Sequence, residues 1–315
     1  MPAEVRFDRM VPAQVLARRE ACNLAYLPVG SLEWHGPHMP FGTDYMTVGH
    51  IAEQAARRFG GVAFPPMYYS DIRYILQECR PEWRKTYARD LRVPKAYASV
   101  FGLEYATQRG KIQPPADDGP AAEKPIGLNL EDCERFFAES IARNLLVIHL
   151  YGFRNIIVLP GHGPNPGYCR QAEELYRQNV RRKKAFGKPA KTLTWFYIEA
   201  AKESEPLLKN HWIHADKWEG SITAVAAPGT VHLDQLPKDR KTLVPAYLGE
   251  PYLNETRGYN PELKHLWYSF DALDPRSGTS EAYGRRQLTA IMKGFGEVIA
   301  KFMGGKKKRP AKGAR

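Results

Sequence analysis

The chain has 315 residues, of which 43% are apolar, enough to fill a sizeable core in one α/β unit that carries an insertion. Its formal charge of +12 is half accounted for by the last twelve residues, G-G-K-K-K-R-P-A-K-G-A-R, a tail too poor in apolar side chains to fold. The charge is therefore read as solvated surface, with nucleic acid not expected as a partner. Cys22, Cys79, Cys133 and Cys169 are scattered without a C-x-x-C pair, which argues against a disulfide scaffold or a thiolate zinc site. No run is long enough to span a bilayer and no signal pattern opens the chain, so a cytoplasmic protein without membrane contact is expected.

In chain order, the first strong element is the apolar run from Ala25 to Val29, read as a strand ending at Gly30. It opens the stretch L-P-V-G-S-L-E-W-H-G-P-H-M-P-F-G-T-D, in which Glu33, His35, His38 and Asp44 follow within fourteen residues of Gly30. In open α/β sheets, ligands gather at the carboxyl ends of strands. Carboxylate and imidazole donors together suit zinc, manganese or iron(II), and a carboxylate such as Asp44 can bridge two ions. The alternative for this stretch alone is a surface turn, because Glu-x-His also arises by chance. Ser31 lacks the G-x-S-x-G surroundings of a nucleophile elbow. Tyr45 to Phe59 reads as a helix with apolar positions at Met46, Val48, Ile51, Ala52 and Ala55, and Val62 to Pro65 as the next strand.

Leu130 to Leu150 reads as a long helix packed on the sheet through Phe136, Phe137, Ile141, Leu145, Leu146, Ile148 and Leu150. The β-branched run Asn155 to Leu159 is then a buried parallel strand, which runs into P-G-H-G-P-N-P-G and puts His162 at a second strand end. Pro166 suits a helix first turn, and Tyr168 to Val180 continues that helix. With both segments in view, the chain resembles the creatininase family of metal-dependent amidohydrolases. That family's first signature is close to P-V-G-S-x-E-x-H-G-P-H-L-P-x-x-T-D, and its second, N-G-H-G-G-N, also follows a strand. The resemblance implies that Glu33, His35, Asp44 and His162 hold one or two divalent ions, Zn, Mn or Fe(II). It also exposes a departure: creatininase has a metal-binding glutamate two residues after the histidine, and Pro164 stands there, so one ligand of a second ion is missing. Against the family pattern, residues 76–124 read as an insertion that shapes substrate access or a subunit contact.

Thr192 to Ile198 is the fourth strand candidate. Beyond it, H-A-D-K-W-E-G-S resembles the family's H-A-G-x-x-E-T-S and aligns His214 and Glu219 with its histidine and glutamate. An imidazole titrates near neutral pH and can pass a proton to a leaving nitrogen, so His214 is read as the catalytic acid–base group with Glu219 orienting it. The alternative is that His214 caps the Trp218 helix. Two positions that contact creatinine in creatininase are Asn210 and His211 here, so creatinine itself is not the expected substrate. Near the end, S-G-T-S-E-A-Y-G-R-R resembles the family's A-T-A-E-K-G and puts Glu281 at the start of a helix from Ser280 to Phe302, either as a first-turn residue or as a further metal ligand.

The expected fold is a single-domain three-layer α/β/α unit over residues 1–303, with a mostly parallel central sheet of at least four strands and a basic tail at 304–315. The expected activity is metal-dependent hydrolysis of a small cyclic amide or related C–N bond by activated water. Lactone or cyclic-ketone (sugar or inosose) hydrolysis on the same site is the alternative within enzymes. A non-catalytic, metal-stabilised assembly or nucleic-acid-binding protein is the alternative outside them. The resemblance further implies a homo-oligomer, a hexamer in many members. A chain truncated after Phe302 is expected to keep its thermal midpoint and its size-exclusion profile, since an unfolded terminus contributes little to packing.

Overall fold

In the computed structural model, which describes residues 4–33, 35–69, 130–204, 213–236, 238 and 274–304, strands and helices alternate along the chain. Helix α1 (Pro12–Ala21) leads into strand β1 (Ala25–Val29), helix α2 (Thr43–Phe59) and strand β2 (Val62–Ala63). Helix α3 (Leu130–Leu150) precedes strand β3 (Asn155–Pro160), and helix α4 (Asn165–Arg182) precedes strand β4 (Lys191–Thr194). Helices α5 (Tyr197–Ser204), α6 (Lys217–Ala226) and α7 (Glu281–Phe302) follow. The expected insertion at 76–124, the residues at 205–212 and the tail beyond Gly304 lie outside the described residues.

The four strands form one sheet in the order β2-β1-β3-β4, with every pairing parallel. Parallel strands are stable when both faces are covered, and here the strand residues divide between two cores. Leu24, Tyr26, Ala63, Ile157 and Leu159 face α2, α5, α6 and α7. Ala25, Leu27, Val29, Val62, Ile156 and Val158 face α3 and α4. The sheet is thus the middle of three layers, as expected. The strand order places a topological switch between β1 and β3: the chain leaves β1 toward β2 on one side, then returns to add β3 on the other. Open sheets hold their ligands in the crevice at such a point, outside the carboxyl ends of the strands.

The elements differ from expectation in several places, the strand expected over Val62 to Pro65 ending at Ala63 among them. The aromatic run 192–198 is not one strand: pairing stops at Thr194, after which Trp195 stacks on Phe295 with centroids 3.9 Å apart and Tyr197 starts α5. Packing against α7 overrides the strand pattern there. On α3 the buried stripe is Phe137, Ile141, Leu145 and Ile148, whereas Phe136 and Leu150 lie off it and are exposed. Helix α2 begins two residues earlier than its apolar pattern suggested, so Asp44 sits in its first turn, where the helix dipole favours a carboxylate.

Helices α6 and α7 are locked together at one crossing. The Trp218 indole N–H donates to Gln287 Oε1 (3.1 Å), and the Ser280 backbone N–H donates to Ser221 Oγ (3.1 Å). A Cβ at Gly284 would lie 2.0 Å from the Ser221 carbonyl oxygen, a distance no packing tolerates. Gly284→Ala is therefore expected to force the helices apart and lower stability by about 1–3 kcal/mol, read as a lower midpoint in chemical denaturation.

Candidate metal centre

The loop after β1 is closed by its own backbone. Glu33 N–H donates to the Phe41 carbonyl (3.0 Å), Thr43 N–H to Pro40 (3.1 Å) and Gly30 N–H to Met67 (2.8 Å). On the neighbouring strand, Gly161 N–H donates to the Val29 carbonyl (2.8 Å). Asn165, at the start of α4, donates from Nδ2 to the carbonyls of Val29 (3.2 Å) and Gly30 (3.1 Å), tying the loop after β3 to the loop after β1. These bonds bring Glu33, His35, Asp44 and His162 to one buried point at the switch crevice, with His214 and Glu219 approaching from the start of α6.

The distances define the cluster. His162 Nδ1 lies 2.9 Å from Glu33 Oε2 and 3.3 Å from Asp44 Oδ2. His35 Nε2 lies 3.5 Å from Asp44 Oδ1, 3.6 Å from Glu219 Oε2 and 3.8 Å from Glu33 Oε2. Asp44 therefore turns one oxygen to each histidine, and Ser31 Oγ donates to its Oδ2. The His214 ring lies tilted against the His35 ring with centroids 4.4 Å apart, and its Nδ1 is 4.0 Å from Glu33 Oε2.

His35 supplies the test of fit. Its Nδ1–H donates to the Glu33 carbonyl (3.1 Å), which turns Nε2 toward the carboxylates and leaves that nitrogen to take up a proton or an ion. That Nε2 is buried and has no hydrogen-bond partner among the described residues, although three carboxylates face it. Donors about 2.0–2.2 Å from a tetrahedral ion lie about 3.3–3.6 Å from one another, close to the spacing around His35. The donors thus fit a divalent ion in both chemistry and separation.

Electrostatics point the same way. Burial by itself drives the His35 and His162 imidazoles toward neutrality, but Glu219 and Asp44 beside the first, and Glu33 and Asp44 beside the second, hold both well above the usual histidine range. Burial would likewise raise Asp44 and Glu33, yet His35 and His162 keep Asp44 below the ordinary carboxylate range, and His162, His214 and His35 do the same for Glu33. Burial and the neighbouring His35 push His214 down instead.

The other residues singled out in the sequence fall as follows. Glu281 is half exposed on the first turn of α7 and pairs with Arg285 at 2.7 Å, so the structure does not bring it to the cluster. His214 does not cap α6. Asp216 does, its Oδ1 accepting from Glu219 N–H (2.9 Å), and the D-x-x-E spacing was the signal for it. Glu219 Oε2 accepts from the Ala215 N–H (2.5 Å), and Ala215 is the only non-glycine residue with positive φ among the described residues, at 53°. His38 is buried beside the cluster, and burial, reinforced by His35, lowers it to about 3.

A family model described as creatinine amidohydrolase matches residues 8–73 and 137–299. The chain belongs to the creatininase family. The two matched segments flank residues 74–136, which contain the expected insertion. A solved creatininase described as a manganese form is 16% identical over 95% of this chain and 98% of its own, with a TM-score of 0.57. A mutant creatininase described as Zn-Zn type is 17% identical over the same shares, with a TM-score of 0.58. At that identity these likenesses establish the creatininase fold. A curated relative, 3-dehydro-scyllo-inosose hydrolase of Thermotoga maritima, is 40% identical over 68 residues, a stretch that spans 22% of this chain and 22% of the relative.

Because the neighbouring carboxylates hold protons on His35 and His162 that a bound ion must displace, metal binding to this creatininase-family chain is expected to release protons and to tighten as pH rises above the ordinary histidine range. Isothermal titration of Mn²⁺ in buffers of different ionisation enthalpy measures both effects. An affinity that is flat or falls over that rise contradicts the assignment.

Proposed function

We propose that the protein is a metal-dependent hydrolase that uses activated water on a small cyclic substrate, acting on an amide or related C–N bond. The observation that carries this reading is the convergence of Glu33, Asp44 and His162 at one buried point, with His35 turned to Asp44 from the other side. A divalent ion held there, zinc, manganese or iron(II), would polarise the scissile carbonyl and bring a water toward ionisation at neutral pH.

The chain's own groups have separable tasks. Glu33, Asp44 and His162 would hold the ion, and His35 reaches Asp44 from the other side. Ser31 fixes the Asp44 carboxylate, and the Glu33 carbonyl fixes the His35 ring. His214, kept toward its neutral form by burial, accepts the proton of the attacking water at Nδ1, the nitrogen that faces Glu33, and returns it to the leaving nitrogen. The Ala215 N–H bonded to Glu219 steadies the loop that carries His214. The named Thermotoga relative favours a second reading on the same machinery, attack on the carbonyl of a cyclic ketone or lactone. The family likeness supports a homo-oligomer as the working assembly.

The test is a panel of small cyclic amides, N-formyl compounds, sugar lactones and inososes, assayed with each of the three metals. Against a substrate that the parent turns over, His214→Ala is expected to keep its metal and lose about 10²- to 10⁴-fold in kcat. Asp44→Ala is expected to lose metal and activity together. Loss of metal from His214→Ala makes His214 a ligand and overturns this division of roles.

A further inference from the structure

His38 lies on the same loop as Glu33 and His35, yet none of the tasks assigned above uses it. The residue is 1% exposed, and neither Nδ1 nor Nε2 has a hydrogen-bond partner among the described residues. Burial keeps the ring neutral, so it carries one N–H donor with nothing to receive it. An unmatched donor at that depth is costly and calls for a role beyond packing.

The surroundings of the ring identify a partner. The loop end at His38 and Met39 is pressed against the beginning of α6, where a Cβ at Gly220 would lie 3.6 Å from Met39 Sδ. The chain that leaves α6 returns to the same point, and the His232 N–H donates to the His38 carbonyl (2.7 Å). His35 and His214 oppose a proton on the His38 ring, whereas the Ala215 backbone and Asp274 favour one. Asp274 is already engaged by Arg276 at 2.6 Å. A backbone group favours a protonated imidazole only through its carbonyl oxygen, so the Ala215 carbonyl is the acceptor within reach.

Ala215 is also where the turn before α6 is strained. Its φ of 53° is unfavourable for a residue with a Cβ, and such a conformation persists only where its surroundings over-determine it. Glu219 Oε2 holds the N–H side of Ala215 (2.5 Å), and Asp216 fixes the next residue by capping α6. The carbonyl side faces His38. We infer that His38 is a positioning residue for His214: by donating to the Ala215 carbonyl it holds the left-handed turn that carries the His214 ring to the cluster. The inference rests on the hydrolase reading above and deepens it, since His214 is the proton carrier of that reading. With Ala215 held from both sides, His214 stays where its ring meets His35 at 4.4 Å and its Nδ1 faces Glu33 at 4.0 Å.

Crystal structures of the full-length protein and its variants test this without any substrate. His38→Leu fills the space but lacks a donor, and it is expected to let Ala215 leave its left-handed conformation and to shift the His214 ring by about 1 Å or more. Ala215 and His214 unmoved in that variant overturn the inference, whatever the protein hydrolyses. Against a substrate from the panel above that the parent turns over, His38→Leu is expected to keep its metal and lose about 10²-fold in kcat, the scale of a 1 Å misplacement. That loss is expected to vanish in a His214→Ala background, because His38 acts through His214, and to be largely repaired by Ala215→Gly, for which a left-handed turn is unstrained. A loss that adds in full to that of His214→Ala overturns this inference alone. His38→Phe, which keeps a ring but no donor, stands in should His38→Leu fail to fold, as circular dichroism reports. A panel with no substrate in it counts against the hydrolase reading, and the crystal comparison still decides the role of His38.

Discussion

The candidate centre depends on how closely the first turn of α2 can approach the ends of β1 and β3. Two glycines set that distance. A Cβ at Gly30 would lie 2.4 Å from the Tyr45 backbone, and one at Gly161 would lie 2.5 Å from the Asp44 carbonyl oxygen. Neither glycine has positive φ, so the requirement is space and not backbone freedom. With the helix seated this deeply, the Asp44 side chain is carried into the crevice between the strands, where one oxygen can meet His162 and the other His35. Asn165 then holds the two strand-end loops at a constant separation through its bonds to Val29 and Gly30.

Such a seat concentrates acid where water is scarce. Glu33, Asp44 and Glu219 are buried together, and a group of carboxylates in that setting has to be neutralised by protons or by cations. Without an ion the compensation falls to His35 and His162, whose protons are held by the same carboxylates. Asp216 adds little to the burden, because burial raises it to about 8 and keeps it protonated at neutral pH. Protons and cations thus compete for one set of atoms, which makes occupancy a function of pH. The sheet that carries the cluster at its strand ends is covered by an apolar core on each face.

The neighbouring helices contribute rigidity more than chemistry. Trp218, fully buried on α6, is stacked with Tyr197 at 5.9 Å and bonded to Gln287, so the helix that carries Glu219 is held by both α5 and α7. Stability and site geometry therefore share residues. A change at the α6–α7 crossing reaches Glu219 through a rigid helix, whereas a change on the exposed first turn of α7, where Glu281 pairs with Arg285, does not.

Much of this was legible from residue order alone. The apolar run at 25–29 and the β-branched run at 155–159 mark parallel strands because only a strand covered on both faces tolerates such continuous apolar character, and the residues just past them, Glu33, His35 and His162, are strand-end residues for the same reason. Four segments in family order were enough to name the family, since short motifs keep their chemistry whatever the rest of the chain does. Other features had no local signal. That the run at 192–198 bends after Thr194 follows from its packing on Phe295, nearly a hundred residues away. That Glu219 faces His35, while Glu281 turns to solvent, depends on where two helices land on the sheet. Periodicity reports which face of an element is buried, but not which distant element covers it. Only the assembled tertiary structure decides which carboxylates meet, because their meeting is set by helix seating and glycine-sized gaps that no single segment encodes.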